Sequence, residues 1–281
     1  PPSDFPGYQQ MRQRFTPLED GHAAEIALAA LLNPAAKPAP QPSDGRLRLL
    51  IEPGGMLPNG VTASLKSLIA NLDYDRFDPY VLLDAPVMDK DRSRIEQFHE
   101  FDPRCNWILR SGDMLLTAEE WSVYQEFRVG NTVNAKTDLP VIRRIFKREA
   151  RRVLGDTHFD VAIEFGGYAP YWSGLIACCN AARKVCYQHS HLWAEYTNPD
   201  VTRNRRTLNA VFQIYHWFDQ IVAVSEETRA VNEAHLQQFY PTHAPSRAAR
   251  NTLDVKRVLE KARTPVSLAN PEAGLLFQDP T

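Results

Sequence analysis

From Arg46 onward, short apolar runs alternate with amphipathic segments, and this alternation restricts the fold more than any other feature of the sequence. Glycine, proline and asparagine bound the apolar runs, as in the stretch RLRLLIEPGG. Short apolar strands that alternate with helical segments are typical of repeated βαβ units, which form a parallel sheet. The sequence therefore predicts an α/β fold in which helices flank a parallel sheet.

Periodicity and end signals assign the elements of this fold. Strands are predicted in RLRLLIE, PYVLLDA, CNWILRS, VAIEFGG, KVCYQHSH and QIVAVSE. Helices are predicted from the turn NGVT, near Glu119–Phe127, and at Val141–Leu154 with a stop at Gly155. Further helices are predicted in NTLDVKRVLEKA and at Tyr171–Ala181, Arg203–Trp217 and Glu226–Gln238.

The placement of proline and of the apolar pattern divides the chain into four segments. Residues 1–33 contain one helical stretch, and residues 34–45 include Pro34, Pro38, Pro40 and Pro42, a composition typical of extended linkers. Residues 46–265 carry the βαβ pattern and are predicted to form the main domain. Residues 266–281 have no helix or strand pattern, and we interpret them as a linker toward a further domain.

Charge and hydropathy exclude several classes of function. Lys and Arg number 32 against 34 Asp and Glu, so no basic field favours nucleic acid, which is not a predicted partner. The chain has no apolar run of about 18 residues and no signal-peptide pattern, which predicts a cytoplasmic protein. The four cysteines lack metal-finger spacing and are expected to be reduced, buried thiols.

The loop PGGMLPNGV follows the first predicted strand and leads into a helix. It places Gly54, Gly55, Asn59 and Gly60 where backbone N–H groups and a helix N-terminus can face a ligand. The loop matches neither GxGxxG nor a Walker motif, and no cofactor is predicted. A tight turn without a ligand is the alternative interpretation.

The densest polar cluster, QHSHLWAEY, follows another predicted strand, and ligands of open α/β sheets bind outside the carboxyl ends of strands. His189, His191 and Glu195 are therefore candidates for a general base or for binding a polyhydroxylated or phosphorylated acceptor. Zinc is the rival ligand, but the cluster lacks HExxH spacing and cysteines, so no metal site is predicted. Histidines that only cap backbone groups are the structural alternative.

Two further strand ends carry candidate residues. FGGY places Gly167 and Tyr168 where a ligand can approach the backbone and a sugar can stack on the ring. Ser225 and Glu226 follow QIVAV in the same way. Core packing of the aromatic rings and a helix N-cap at Ser225 are the alternatives.

The predicted helix at Val141–Leu154 carries a basic face. Its cations could contact an anionic membrane surface or a phosphate-rich polymer, and a solvated face is the alternative. This face leads to the hypothesis of peripheral contact with the inner face of the cell membrane. Its members are Arg143, Arg144, Lys147, Arg148, Arg151 and Arg152.

Five blocks, taken in order, resemble a known family. They are LLIEPGGMLPNGVTASLKSLIANLDYDRFDPYVLL, FDVAIEFGGYAPYWSGLIA, KVCYQHSHLWAEY, FDQIVAVSEETRAVN and NTLDVKRVLEKA. Together they are similar to the N-terminal, acceptor-side half of retaining GT-B-fold glycosyltransferases, especially those of teichoic-acid-like and capsular polymer synthesis. The resemblance runs from about Arg46 to Arg263.

The resemblance implies a Rossmann-like sheet that forms one half of a GT-B fold. It also implies transfer of a sugar from a nucleotide-sugar donor to an acceptor hydroxyl between two domains. The family's donor-binding half has no counterpart after Asn251, so the donor is expected to bind through a further C-terminal domain. His189 becomes the catalytic candidate, and the acceptor-binding candidates are Gly54, Gly55, Asn59, Gly60, Gly167, Tyr168, His191, Glu195, Ser225 and Glu226.

The implied acceptor is a cell-wall or capsular polymer, either a glycan or a polyol phosphate that could be lipid-linked, and the isolated chain is expected to be inactive. The alternative is a non-catalytic carbohydrate-binding or scaffold module of a multidomain polymer synthase, because a fold does not determine a function. RQRFTPLEDGHAAEIALAALL also resembles the end of a glycerophosphotransferase domain. A nucleotide-sugar epimerase or dehydrogenase is not predicted, since GxGxxG and YxxxK are absent.

Overall fold

The computed structural model describes residues 45–88, 90–129, 137–200 and 202–263 of the 281-residue chain, with the isolated positions 7, 22 and 25. Apart from those isolated positions, the helical segment predicted in residues 1–33 lies outside the described residues. The linker predicted at 34–45 lies outside them except for residue 45, and the linker predicted at 266–281 lies wholly outside them. The proposed domain boundaries therefore stay predictions.

Strands and helices alternate along the described chain. The strands are β1 Leu47–Glu52, β2 Phe77–Asp84, β3 Asn106–Arg110, β4 Phe159–Glu164, β5 Ala181–Gln188, β6 Gln220–Ala223 and β7 Ser246–Ala248. The helices before β4 are α1 Gly60–Ala70, α2 Ala85–Met88, α3 Arg92–His99, α4 Ala118–Val129 and α5 Leu139–Leu154. Those after β4 are α6 Pro170–Cys178, α7 Leu192–Thr197, α8 Thr202–Gln213, a 3₁₀ turn Tyr215–Trp217, α9 Glu226–Phe239 and α10 Val255–Ala262.

The seven described strands form one parallel sheet in the order β3-β2-β1-β4-β5-β6-β7. Ile51 of β1 pairs with Val81 of β2 on one side and with Ile163 of β4 on the other. The order 3-2-1-4-5-6 is that of the doubly wound Rossmann fold, in which the direction of winding reverses between β1 and β4. The predicted α/β fold with a Rossmann-like parallel sheet is confirmed.

Alternation along β1 divides the core between the two faces of the sheet. Ile51 packs with Leu65 and Ile69 of α1 on one face, whereas Leu50 belongs to the cluster around Phe146 of α5 on the other. All five side chains are fully buried. Successive side chains of a strand point to opposite faces, so a strand covered by helices on both sides is apolar throughout.

Capping residues mark where several helices begin and end. Asn59 Oδ1 accepts a hydrogen bond from the Thr62 N–H at the start of α1, and Ser225 Oγ accepts one from the Thr228 N–H at the start of α9. Helix α5 ends at Gly155, whose φ of 63° is readily adopted by glycine. The predicted helix start at NGVT and the predicted stop at Gly155 are confirmed, and Ser225 serves as a helix N-cap, which was the alternative interpretation of that residue.

Two predicted helices end earlier than expected. The helix predicted to reach Ala181 ends at Cys178, because Ala181 and Arg183 instead pair with Phe159 and Val161 of β4. Ladder hydrogen bonds to a neighbouring strand therefore override the helix preference of the alanines. The helix predicted to reach Trp217 ends at Gln213 and is followed by the 3₁₀ turn. The unpredicted elements β7, α2, α3 and α7 are short, and α2 and α3 bury none of their residues.

Within the described ranges, no helix combines the length and the apolar character that a membrane span requires.

Candidate functional site

The strand order creates a crevice outside the carboxyl ends of β1, β2 and β4. In open α/β sheets this switch point is where ligands bind. An inner cavity of about 430 Å³ lies there, between the glycine loop after β1, the end of β2 and the FGGY turn after β4. Its walls include Glu52, Gly54, Gly55, Asn59, Asp84, Arg94, Gly166, Tyr168 and Trp172.

A larger outer crevice of about 1120 Å³ adjoins the inner cavity. The two share Asp84, Tyr168, Ala169 and Trp172 as walls. From these shared walls the outer crevice extends to helix α4 and to the loop at 111–117. Its other walls include Arg110, Asp113, Met114, Leu116, Trp121, Arg128, Tyr171, Asn204 and Arg206.

Two glycine turns touch each other at the inner cavity. A Cβ atom on Gly166 would lie 2.9 Å from the Cα of Gly54, closer than real side chains approach a backbone. Gly54 has a φ of 79° and Gly167 a φ of 80°, and a Cβ on Gly167 would lie 2.7 Å from the Tyr187 carbonyl oxygen. These positions need glycine for close approach and for backbone conformation. The turns after β1 and β4 are therefore packed against one another.

A pair of buried carboxyl groups lies beneath these turns. Glu52 and Glu164 end β1 and β4, are paired in register, and are 1% and 0% exposed. The Gly54 N–H donates to Glu52 Oε1 at 2.9 Å, and the Gly167 N–H donates to Glu164 at 2.9 Å from each oxygen. Each carboxyl group therefore holds one glycine turn.

Burial raises the pKa of both carboxyl groups. It raises the pKa of Glu164 to about 7 and that of Glu52 well above its usual range, where the negative charge of Glu164 adds to the effect. Oε2 of Glu52 is buried and has no hydrogen-bond partner in the described part of the chain. The two adjacent carboxyl groups titrate together, and burial favours their protonated forms.

A second polar cluster joins the FGGY turn to the segment after β5. The Tyr168 hydroxyl donates to Glu195 Oε1 at 2.9 Å and lies 2.7 Å from Ser190 Oγ. Ser190 Oγ donates to the same carboxylate oxygen at 2.5 Å, and Asn204 Nδ2 donates to Glu195 Oε2 at 3.3 Å. The structure thus brings together Tyr168 and Glu195, two residues that the sequence singled out separately.

His189 is held behind the FGGY turn. Its Nε2 lies 2.6 Å from the Phe165 carbonyl oxygen, so this nitrogen carries the proton and donates, leaving Nδ1 as the acceptor. Burial lowers the pKa of His189, and its ring packs against Phe165 and Tyr187. His189 is not among the residues that line the inner cavity or the outer crevice. Its role as a general base stays a prediction, and in that role Nδ1 would accept the proton.

The remaining predicted residues fall into different environments. Gly60 begins α1, and a Cβ there would meet nothing within 4 Å, so packing does not require glycine. His191 is exposed and stacks on His235, with ring centroids 6.0 Å apart. Ser225 caps α9, while exposed Glu226 accepts a hydrogen bond from Arg229 at 2.7 Å. None of these residues lines either cavity. Their predicted ligand contacts stay predictions.

The structure adds wall residues that sequence reasoning missed. Asp84 and Arg110 end the neighbouring strands β2 and β3 and form an ion pair at 3.0 Å. The Arg110 guanidinium also lies over the Tyr171 ring, 4.8 Å from its centroid. Arg94 of α3 reaches the glycine loop next to Gly55. Because ligands bind outside the carboxyl ends of strands, the sequence could have indicated Asp84 and Arg110, which end two predicted strands. Arg94 lies in α3, a helix that the sequence pattern did not predict.

The basic face of α5 makes several contacts within the chain. Arg148 pairs with Glu120 of α4 at 2.7 Å and donates to the Leu115 carbonyl oxygen at 2.6 Å. Arg152 pairs with Glu149 at 2.7 Å and donates to the Ser111 carbonyl oxygen at 3.0 Å. These two arginines therefore hold the loop at 111–117, which forms part of the outer crevice.

The cysteines agree with their predicted state. Cys105, Cys178, Cys179 and Cys186 are free thiols, and all but the half-buried Cys178 are buried. Across the described part of the chain, no three His, Cys, Asp or Glu side chains converge in a way that could hold a metal ion.

The structure defines a doubly wound, Rossmann-like α/β protein with a crevice at the switch point of its sheet. No family model matches the sequence, and no curated protein matches it. Among solved structures, the chain is similar to UGT89C1 of Arabidopsis thaliana complexed with UDP, with a TM-score of 0.39 and 11% identity. That match covers 83% of this chain and 55% of the other, so this chain spans about half of that protein's length. It is also similar to AtPrR2 in its apo form, with a TM-score of 0.29, 15% identity and 77% of each chain covered.

Proposed function

We propose that the chain is the acceptor-binding half of a glycosyltransferase. In this proposal the inner cavity receives the acceptor hydroxyl, and a further domain holds a nucleotide-sugar donor across from it. The observation that carries the proposal is the composition of the inner cavity. Backbone turns, aromatic rings and hydrogen-bonding side chains converge there at the switch point of the sheet.

The wall chemistry of the inner cavity suits a sugar or polyol. Trp172 and Tyr168 offer apolar ring faces, and Asp84 and Asn59 offer hydrogen-bond acceptors and donors for hydroxyl groups. The Tyr168 hydroxyl is held by Glu195. Aromatic faces together with a few placed polar groups are typical of sites that orient a small polar ligand.

The proposed reaction forms a bond from the acceptor oxygen to the anomeric carbon of the donor sugar. The bond from that carbon to the phosphate oxygen breaks, the nucleoside diphosphate leaves with the electron pair, and the proton of the acceptor hydroxyl passes to a base, for which Nδ1 of His189 is the candidate. This half of the enzyme contributes orientation, and holding reactants in place can supply a large part of the reduction in barrier. His189 supports the Phe165 carbonyl next to the Gly166 turn and is thus a candidate positioning residue as well as a candidate base.

The proposal also includes the finer expectations from the sequence. The acceptor is a cell-wall or capsular polymer, the site of action is the cytoplasmic face of the membrane, and Lys147 and Arg143 of α5 remain exposed for an anionic surface. A non-catalytic carbohydrate-binding module is the second candidate, since the same crevice would serve it.

Calorimetric titration of the chain with nucleotide sugars, oligosaccharides and polyol phosphates tests the proposal. We expect acceptor compounds to bind without nucleotide, and Trp172→Ala to weaken that binding by roughly tenfold, as loss of an aromatic contact does. Phe239→Ala is the matched control, because Phe239 is an exposed ring that lines neither cavity. Tight binding of nucleotide sugars with no acceptor binding would mean that the chain is the donor half.

Transfer activity separates the two candidates. In a protein that also contains the donor-binding domain, we expect His189→Ala to lower the rate of sugar transfer while circular dichroism stays unchanged. Acceptor binding with no transfer to any acceptor of the panel supports the binding module instead.

A further inference from the structure

The outer crevice is larger than one sugar residue requires. Its volume of about 1120 Å³ exceeds the roughly 300–1,000 Å³ of sites for drug-sized ligands. It opens from the inner cavity through Asp84, Tyr168 and Trp172 and continues to helix α4. A ligand whose end occupies the inner cavity can therefore continue into the outer crevice.

Helix α4 presents an exposed aromatic ring to the outer crevice. Trp121 is 54% exposed, whereas Tyr124 and Phe127 of the same helix are buried in the core. Because Trp121 lines the crevice, its flat face suits the C–H groups of a sugar or polyol chain. Trp121 therefore provides a stacking surface at the far end of the crevice.

Arg128 lies on the same face of α4, seven residues beyond Trp121. The two positions are about 10 Å apart along the helix axis. Arg128 is exposed and donates to the neutral amide of Gln125 at 3.0 Å. Among the described residues, no carboxylate lies within ion-pair distance of Arg128. Its charge thus remains available to an anion in the crevice.

The ion pair of Arg110 with Asp84 at 3.0 Å neutralises two of the charged walls of the outer crevice. Arg128, whose hydrogen-bond partner is the neutral Gln125 amide, offers a positive charge to a ligand that carries negative charge.

We propose that the outer crevice is a subsite for an extended, anionic acceptor chain of sugar or polyol units, with Trp121 stacking on one unit and Arg128 contacting a phosphate or carboxylate group of another. This inference rests on the proposed function and specifies its acceptor as an oligomer. If the proposal is correct, the affinity for an acceptor oligomer depends on the length and on the charge of the oligomer.

Titration with three probe series tests this subsite. The probes are phosphodiester-linked glycerol oligomers, uronic-acid oligosaccharides and neutral oligosaccharides, each from monomer to hexamer. We expect affinity to rise at least tenfold with length in one of the charged series and to rise less in the neutral series. The charged series that gains affinity identifies the anion as phosphate or carboxylate.

Variants of α4 assign the gain to this surface. We expect Trp121→Ala to remove most of the length-dependent gain, and Arg128→Gln to weaken binding of charged oligomers only and to reduce its dependence on salt. Phe239→Ala and Arg247→Gln are the controls, since both residues are exposed and line neither cavity. Trp121 and Arg128 are exposed, so both variants are expected to fold, which circular dichroism checks.

Two failures can be told apart. Equal affinity for monomers and hexamers, or an unchanged gain in Trp121→Ala, overturns the subsite while monomer binding leaves the proposed function standing. If no monomer or oligomer of any series binds, the proposed function itself fails.

Discussion

Two buried glutamates at the ends of β1 and β4 hold the turns that shape the inner cavity. In the sequence, Glu52 and Glu164 are each a polar residue at the end of an apolar run, and nothing else marks either of them as a candidate site residue. Their structural role arises because β4 lies next to β1, which pairs the two glutamates in register. Local patterns carry no information on which strands become neighbours.

The carboxyl pair predicts an unusual dependence of stability on pH. The folded-state pKa of Glu164 is raised to about 7, whereas an unfolded glutamate titrates near about 4.3. Between these values the unfolded chain releases protons that the folded chain keeps, so the free energy of unfolding falls as pH rises from ~4.3 to ~7. Glu52, whose own pKa is raised well above its usual range, contributes to the same fall, so Glu52→Gln should flatten it in urea denaturation curves measured across that range.

The control for this prediction is Glu96→Gln, which removes an exposed carboxylate on α3. Its pH dependence should match that of the unmodified chain. Parallel curves for Glu52→Gln and the unmodified chain would show that the pair does not retain a proton in the folded state.

Close packing of the two glycine turns leads to a second residue-scale prediction. In Gly166→Ala the new Cβ would lie 2.9 Å from Gly54 Cα and 3.1 Å from Glu52 Oε2. We expect this overpacking to lower the free energy of unfolding by roughly 1–3 kcal/mol. Gly60→Ala, where a Cβ meets nothing within 4 Å, should be neutral or stabilising in the same denaturation experiment. Equal effects of the two variants would contradict this packing.

At the scale of elements, the basic face of α5 connects α4 and the 111–117 loop to the domain. The sequence shows six cations on one face, a pattern that predicts either a solvated surface or contact with an anionic membrane or a phosphate-rich polymer. Tertiary contacts place Arg148 against Glu120 and Leu115, and Arg152 against Ser111. The position of α4, and with it that of Trp121, depends on these contacts.

The tie between α4 and α5 predicts an opposite pH effect. Hydrogen bonds from Arg148 lower the pKa of Glu120 to about 2. A carboxylate with a lowered folded-state pKa stabilises the fold above its unfolded pKa of ~4.3 and loses this contribution as pH falls toward 2. Glu120→Gln should lower the free energy of unfolding at neutral pH by roughly 1–3 kcal/mol, since charged hydrogen bonds are lost. It should also reduce the loss of stability in acid.

Glu126→Gln on the same helix is the matched control for Glu120→Gln, because Glu126 is exposed. Thermal denaturation at neutral and acidic pH measures both variants. If the two variants unfold alike, the ion pair between α4 and α5 contributes nothing to stability.

At the scale of the whole molecule, the domain boundary near residue 45 remains a sequence prediction. The stretch from Pro34 to Pro42 is rich in residues that lack a backbone N–H, which disfavours packed secondary structure. A chain that begins at residue 45 should therefore unfold with the same urea midpoint and slope as the whole chain. A large drop in the midpoint would place residues 1–44 within the folded unit.

Local patterns in the sequence specify the class of fold and the positions of most elements. Apolar periodicity located β1 to β6 and most helices, and the residues Asn59, Gly155 and Ser225 marked helix ends because caps act within a few residues. It also identified strand ends that carry Tyr168 and Glu195. These signals depend only on near neighbours in the chain.

Which of these strand ends meet depends on long-range packing. The sheet order sets β4 beside β1, so that Glu52 faces Glu164 and the Gly54 turn touches the Gly166 turn. The order of parallel strands depends on how each helical crossover passes the sheet, and residues that are 112 positions apart carry no local sign of it. The same long-range packing turns Trp121 toward the outer crevice while its helical neighbours Tyr124 and Phe127 enter the core.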